Sequence, residues 1–450
     1  MAFRARVLSL TADNDLSLAL ANGLDCLGWP SLWAQHDDAA LAAVADLEIE
    51  AVLVDTRFQS DQFATFPGLI AALRAACAPR MLPVIGLLHP DVSIDRQIWD
   101  MTLAFDAHPN QMALRLEHLV RAAVAEEEFK LRAETLADFG VTLTDPGSAD
   151  QDLAVLSVGA PEPSFLALSN AMTRMGISVT AAFSSYSAFD YLHEKSFDSV
   201  VLWGGGNPAE ALSIASGMRR NTRLYHVPIL MNLRGEDGFD PAEAFHRGIS
   251  DLATPGTPED ESAQRVQVLA RAYRRQGAIR TALESVRQCG KVDAGTGLFT
   301  RDMFAVHLSR LSTAAQARNR PLSLCVLKIT DLPEVVRARA RGWLDRAMPQ
   351  IGSMIGRLVR AEDTAARLSG DVFALALPAT TVEAARQVGE RIAAVVGCTA
   401  FESGDGLPPF VVEFDVGYAQ VLPGESAAAA LERAALELTP RPEPTHAEAG

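Results

Sequence analysis

An arginine and an aspartate three residues apart, Arg360 and Asp363, stand five residues ahead of the short segment Ser369-Gly370-Asp371-Val372-Phe373. Such a pair can read a planar base. A guanidinium fork meets two adjacent acceptors, such as guanine O6 and N7, while a carboxylate accepts from the N1–H and N2–H donors of the same ring. Arginines also stack on purines and meet phosphate. Arg357 and Arg367 add positive potential nearby. The competing reading of Arg360 and Asp363 is an ordinary surface ion pair. A further carboxylate, Asp55, closes the apolar run Ala51-Val52-Leu53-Val54, where a strand end would present it.

The elements that must position these residues fall into three series. Residues 1–122 alternate short apolar runs with helical stretches (7–10, 16–27, 48–55, 66–76, 82–88, 112–123), a βα rhythm that predicts a parallel sheet covered on both faces. A charged helical segment follows and ends in Thr144-Asp145-Pro146-Gly147-Ser148, so residues 123–150 read as a linker helix and turn. A second βα series of similar spacing occupies 151–259, which makes the first two domains a tandem repeat. Residues 260–289 form a connecting helix, compatible with pairing in a homodimer or with standing alone in solvent. Residues 290–438 form a third domain, and 439–450, mixing Pro, Glu and Ala without periodicity, read as a flexible tail.

Composition sets limits. A chain of 450 residues suits about three domains of ~150 residues each, and a hydrophobic fraction of 48% supports packed cores. A formal charge of −16 argues against non-specific nucleic-acid or anionic-membrane binding, but a local arginine cluster can still hold a small anion. The five cysteines, Cys26, Cys77, Cys289, Cys325 and Cys398, are odd in number and far apart, which fits reduced core thiols better than disulfides or a metal knuckle. The N-terminus shows no signal-peptide core, and no run approaches the ~18 apolar residues of a membrane span. A cytoplasmic chain with no membrane insertion is the expectation.

The third domain resembles a GGDEF (diguanylate cyclase) domain. The likeness rests on Asp293-Ala294-Gly295-Thr296-Gly297-Leu298-Phe299-Thr300-Arg301-Asp302-Met303-Phe304 as the entry signature, departing at Gly295 and Thr300. It rests also on the strand 321–327, on the signature turn Ser369–Phe373, and on the strand Ala374-Leu375-Ala376-Leu377-Pro378. The resemblance implies that Arg360 and Asp363 form the RxxD product site for cyclic di-GMP, supported by Arg391. It also implies that catalysis is lost. Cyclisation of GTP needs carboxylates to hold metal, whereas Lys328 falls at the first such position, Val372 replaces the turn glutamate and Ser369 replaces the first glycine. The guanine-reading residues have no counterpart in Glu334–Arg341, and the Lys and Arg of the family's terminal element are missing after Leu431–Leu436. No catalytic residue, metal or cofactor is therefore expected, with cyclic di-GMP as ligand.

The two βα repeats resemble response-regulator receiver domains, which gives the layout of the PleD group. The implied fold is two doubly wound, flavodoxin-like domains followed by a degenerate α+β GGDEF domain. In the first repeat Asp55 is placed as a phosphoacceptor, or is a solvated relic. Thr11 and Ala12 stand where the Mg²⁺-binding acids belong, with Asp13 and Asp15 displaced, Leu88 at the hydroxyl position and His108-Pro109 at Lys-Pro. In the second repeat Trp203, Asn232 and Thr254-Pro255 replace the corresponding groups, leaving a packing or dimerisation module. The effectors of this group imply an adaptor at a cell pole. Its expected partners are a protease adaptor, its substrate and polar localisation factors, for proteolysis of the cell-cycle regulator CtrA by ClpXP. The alternatives are a residual cyclase using Asp331 and Asp371, and a ligand-independent dimeric scaffold.

Overall fold

The computed structural model describes residues 6–89, 91–92, 95, 98–143, 153–204, 208–233, 239–285, 292–404 and 406–438. The expected turn 144–148, the tail 439–450 and Cys289 lie outside them. The described chain divides into two compact units, one made of Arg4–Ala125 and Pro146–Ala278, the other of Glu126–Asp145 and Ile279–Gly450.

The first unit holds two parallel sheets. The first is built from β1 (Arg6–Leu10), α1 (Asn14–Asp25), β2 (Ser31–Ala34), α2 (Asp37–Asp46), β3 (Ile49–Asp55), α3 (Phe66–Cys77), β4 (Val84–Leu88), β5 (Met101–Ala104) and α4 (Pro109–Asp138). Its strand order is β2-β1-β3-β4-β5, the doubly wound order in which the strand sequence reverses between β1 and β3. Every residue of β3 is buried, as a strand covered on both faces requires. Asp13 caps α1, accepting from the amides of Asp15 and Leu16. The half-exposed edge strand β2 has no apolar alternation to betray it, which is why the sequence pattern passes over it.

The second sheet repeats the plan with β6 (Ala154–Val158), α5 (Pro163–Arg174), β7 (Ser178–Ala182), α6 (Ser185–Glu194), β8 (Ser199–Gly204), α7 (Ala209–Arg220), β9 (Ile229–Leu233), α8 (Pro241–His246), β10 (Asp251–Ala253) and α9 (Glu259–Ser285). Its order, β7-β6-β8-β9-β10, is the same. The two repeats meet through buried polar groups: Gln111 donates to Asp251 at 3.0 Å, and Arg115 forms a fully buried ion pair with Asp251. Burial, with Arg115 adding to it, pushes the neighbouring His118 down to about 4, so this imidazole is neutral.

The second unit is the third domain together with the end of α4. It comprises β11 (Phe299–Thr300), α10 (Arg301–Ala317), β12 (Leu322–Ile329), α11 (Pro333–Ala340), α12 (Trp343–Leu358), β13 (Thr364–Arg367), β14 (Val372–Pro378), α13 (Val382–Gly397), β15 (Phe414–Gln420) and α14 (Ala427–Leu436). The sheet order is β11-β13-β14-β12-β15, antiparallel except for the β11–β13 pair. Helix α12 carries Gly352 where a Cβ would lie 2.3 Å from the Thr296 carbonyl oxygen, so the entry loop 293–298 can cross this helix only over a glycine.

Three expectations need correction. The boundary at residue 122 falls inside one uninterrupted helix, α4, whose residues from Glu126 belong with the third domain. The charged stretch read as a linker is packed: Glu127, Glu128, Arg132 and Thr135 are all buried, and Leu136 joins the apolar cluster of Phe304 and Leu308. Cys77 and Cys325 are core thiols as expected, but Cys26 and Cys398 are exposed, each at a helix C-cap where the apolar face has ended.

Candidate functional site

Helix α12 stops at Leu358, and the next turn presents Arg360 and Asp363. The spacing closes on itself: the Arg360 amide donates to Asp363 Oδ2 at 2.8 Å, so the carboxylate caps its own turn. Asp363 is only 5% exposed, which makes it a buried group and removes the reading of it as a surface charge. Both residues line a cavity of about 470 Å³ whose polar walls also include Arg132, Arg357, Asp293 and Thr296. Arg391 does not line it; its guanidinium donates to the Leu358 carbonyl at 2.8 Å and so fixes the end of α12 two residues before Arg360.

The entry loop is tied down by Asp293, which accepts from the Thr296 amide at 2.8 Å and hydroxyl at 2.7 Å. Burial pushes the Asp293 carboxyl up, but the Thr296 hydroxyl and Arg367 outweigh it and hold the group below its ordinary value. Arg367 also donates to the Ser369 and Gly370 carbonyls at 3.1 and 2.8 Å, so one side chain joins the entry loop to the signature turn.

In that turn Ser369 and Gly370 are exposed, while Val372 packs with the apolar cluster of Val326 and Ala419. Phe373 is fully buried and meets Phe414 edge-on at 6.0 Å. Asp371 and Asp331, the carboxylates that a residual cyclase would use, are bridged by one guanidinium. Arg339 donates to Asp331 at 2.7 Å and to Asp371 at 3.3 Å. Its hydrogen bond and charge hold the Asp331 carboxyl below its ordinary value, and Lys328 adds to the effect. Lys328 sits on β12 in register with Val372 on one side and Asp415 on the other. The space between the two acids is thus occupied by a positive charge. Among the described residues no group of three or more metal-ligating side chains is found.

The first parallel sheet treats Asp55 in a similar way. The carboxylate is 3% exposed and fully engaged. Thr11 Oγ1 donates to it at 2.9 Å, the Arg57 amide donates at 2.8 Å, and His89 Nε2 lies at 3.0 Å. Arg57 also spans from Asp13 at 2.9 Å to Asp55 at 3.5 Å, standing between the two acids. The side chain that faces Asp55 from the end of β4 is His89, stacked on Phe105 at 4.3 Å, rather than the adjacent Leu88. In the second sheet Trp203 donates to Ser157 Oγ at 3.1 Å and packs on Phe165, so an indole fills the equivalent strand end.

Sequence reasoning passed over Arg132, Arg339, Arg57 and His89. Arg132 lies in the charged stretch read as a linker helix, and Arg339 in Glu334–Arg341, read only for its lack of guanine-reading counterparts. A signal existed for one: Glu128 and Arg132 are spaced i, i+4, and their Nε–Oε1 distance is 2.7 Å.

Residues 290–440 match the family model described as diguanylate cyclase, GGDEF domain. Response regulator PleD of Caulobacter vibrioides is 23% identical over 239 residues, covering 53% of this chain and 52% of that protein. Diguanylate cyclase DgcP of Pseudomonas aeruginosa is 30% identical over 161 residues, 35% of this chain and 23% of that one. The chain thus spans about half the length of PleD and less of DgcP. Among solved structures, the GGDEF domain of DgcB from Caulobacter crescentus in complex with c-di-GMP is 25% identical, with a TM-score of 0.31, 33% of this chain covered and 85% of that one. Diguanylate cyclase SiaD with its activator SiaC, from Pseudomonas aeruginosa, is 24% identical with a TM-score of 0.32, covering 40% and 68%.

Proposed function

We propose that this PleD-like chain with a GGDEF domain is a cyclic di-GMP effector that binds the dinucleotide at Arg360 and Asp363 and no longer synthesises it. The observation that carries the reading is a contrast within one domain. The RxxD turn opens onto a cavity with two further arginines, Arg132 and Arg357, while the acids of the catalytic region are bridged by Arg339. A guanine base and a phosphate find donors in the first place. A Mg²⁺–triphosphate finds a guanidinium in its way in the second.

Within the PleD group this combination is most like the effector PopA. On that resemblance alone, the chain is an adaptor at a cell pole that recruits partners for degradation of CtrA by ClpXP. The residual-cyclase reading needs Asp331 and Asp371 to release Arg339 and take a metal instead, and the scaffold reading needs the cavity to be idle. Calorimetric titration of cyclic di-GMP into the full chain, run beside a GTP turnover assay, separates the three. The effector reading expects saturable binding without turnover, and product formation or absence of binding would end it.

A further inference from the structure

A wall of the cavity comes from outside the residues that match the GGDEF family. Arg132 belongs to α4, the helix that follows the first parallel sheet, and it lines the cavity beside Arg360 and Asp363. The side chain is 4% exposed and held at both ends of its guanidinium. Nε donates to Glu128 at 2.7 Å, and an Nη donates to the Asp363 backbone carbonyl at 2.8 Å. The contact therefore reaches the RxxD turn itself. Around it runs a chain of buried polar contacts: Glu128 Oε1 lies 2.7 Å from His307 Nε2, His307 Nδ1 lies 3.0 Å from Thr135 Oγ1, and Thr364, the residue after Asp363, donates to Glu128 at 3.3 Å. A second buried acid, Glu127, pairs with Arg320 at 2.6 Å and Arg318 at 3.2 Å.

We infer that Arg132 is a binding residue of the dinucleotide site, so that occupancy of the cavity and docking of residues 126–138 are one equilibrium. The inference deepens the effector reading and rests on it. A guanidinium packed in a dry wall keeps a fixed edge toward the cavity. Ordering costs little when a guanine acceptor edge or a phosphate oxygen meets such a preorganised donor. Because Arg132 also holds the Asp363 carbonyl, a ligand that fixes the turn stabilises the docked helix, and undocking of the helix dismantles the turn.

The test uses the full chain with cyclic di-GMP. Calorimetry on the unmodified chain, Arg360→Gly, Arg132→Ala and Arg132→Lys is expected to show Arg132→Ala binding about tenfold more weakly, the loss of one charge-assisted contact. Arg132→Lys, which keeps the charge and loses the fork, should fall between. Hydrogen exchange on the unmodified chain should show ligand-induced protection of residues 126–138, which a purely structural arginine would not produce. That measurement stands even if Arg132→Ala fails to fold. Binding that depends on Arg360 but is unchanged in Arg132→Ala, with no added protection of the helix, overturns this inference and leaves the effector reading intact. No binding by the unmodified chain overturns both.

Discussion

Asp363 has two jobs that a substitution can separate. Its Oδ2 accepts from the Arg360 amide and shapes the turn, whereas base recognition needs an anionic acceptor. Asp363→Asn keeps an oxygen for the amide and removes the charge, and Asp363→Ala removes both. Arg360→Gly and Asp363→Asn should each weaken cyclic di-GMP binding by about 30- to 150-fold, the equivalent of ~2–3 kcal/mol for a charge-assisted contact, with thermal unfolding little changed. Affinity equal to that of the unmodified chain in both variants would place the ligand elsewhere. Arg339 supports a second prediction at this scale. The unmodified chain should make no cyclic di-GMP from GTP with Mg²⁺ or Mn²⁺, and Arg339→Gln should not restore synthesis, because Lys328 and Val372 still deny the metal its ligands. Steady product from either protein, followed chromatographically, would count against the assignment.

At the level of elements, the end of α4 docks on α10 and β13 through charges that are out of water. Burial pushes the Glu128 carboxyl up, but His307 and Arg132 outweigh it and hold the group below its ordinary value. A carboxylate with a depressed folded value contributes stability that is complete above its unfolded value, about 4.5, and is lost as pH falls through the lower folded value. The neighbours that face it are His307, Arg132 and Thr364, with Glu127 and Arg320 packed nearby. Glu128→Gln should destabilise the domain by about 3–5 kcal/mol at neutral pH, since it leaves the buried Arg132 guanidinium without its counter-charge, and should flatten the acid limb of the stability profile below about pH 4.5. Denaturant melts at a series of pH values measure both effects. An unchanged midpoint would mean that the network is idle.

For the whole molecule the question is where signal enters. Asp55 is buried, takes a hydroxyl and an amide hydrogen bond, and faces both His89 and Arg57, so a phosphoryl group would have to displace protein contacts before it found a cation. A polar cavity in the third domain lies at Arg360 and Asp363, and a ligand shifts an equilibrium only through differential affinity for its states. Acetyl phosphate should therefore add no phosphoryl mass to the chain. Under the proposed adaptor role, Asp55→Asn in cells should leave polar placement and substrate degradation largely unchanged, while Arg360→Gly disrupts both. An Asp55→Asn defect as severe as that of Arg360→Gly, in a variant that folds and binds ligand normally, would make the first sheet the switch.

The sequence by itself determined the alternation of elements and the pairing of Arg360 with Asp363, because both are written at short range. Apolar periods predict β3 and β12, and a spacing of three at a helix end closes one turn. It also placed Lys328 and Val372 where the family resemblance implies metal-site carboxylates, since charge and size are properties of single residues. What only the tertiary structure decided is which long-range partner meets each charge. Arg57, Arg339 and Arg132 sit in sequence like solvated arginines, yet the fold sets the first between Asp13 and Asp55 and the second between Asp331 and Asp371. It brings the third, from a helix 231 residues earlier in the chain, onto the Asp363 carbonyl. Pairing across such separations depends on how sheets and helices stack, and local spacing carries no record of it.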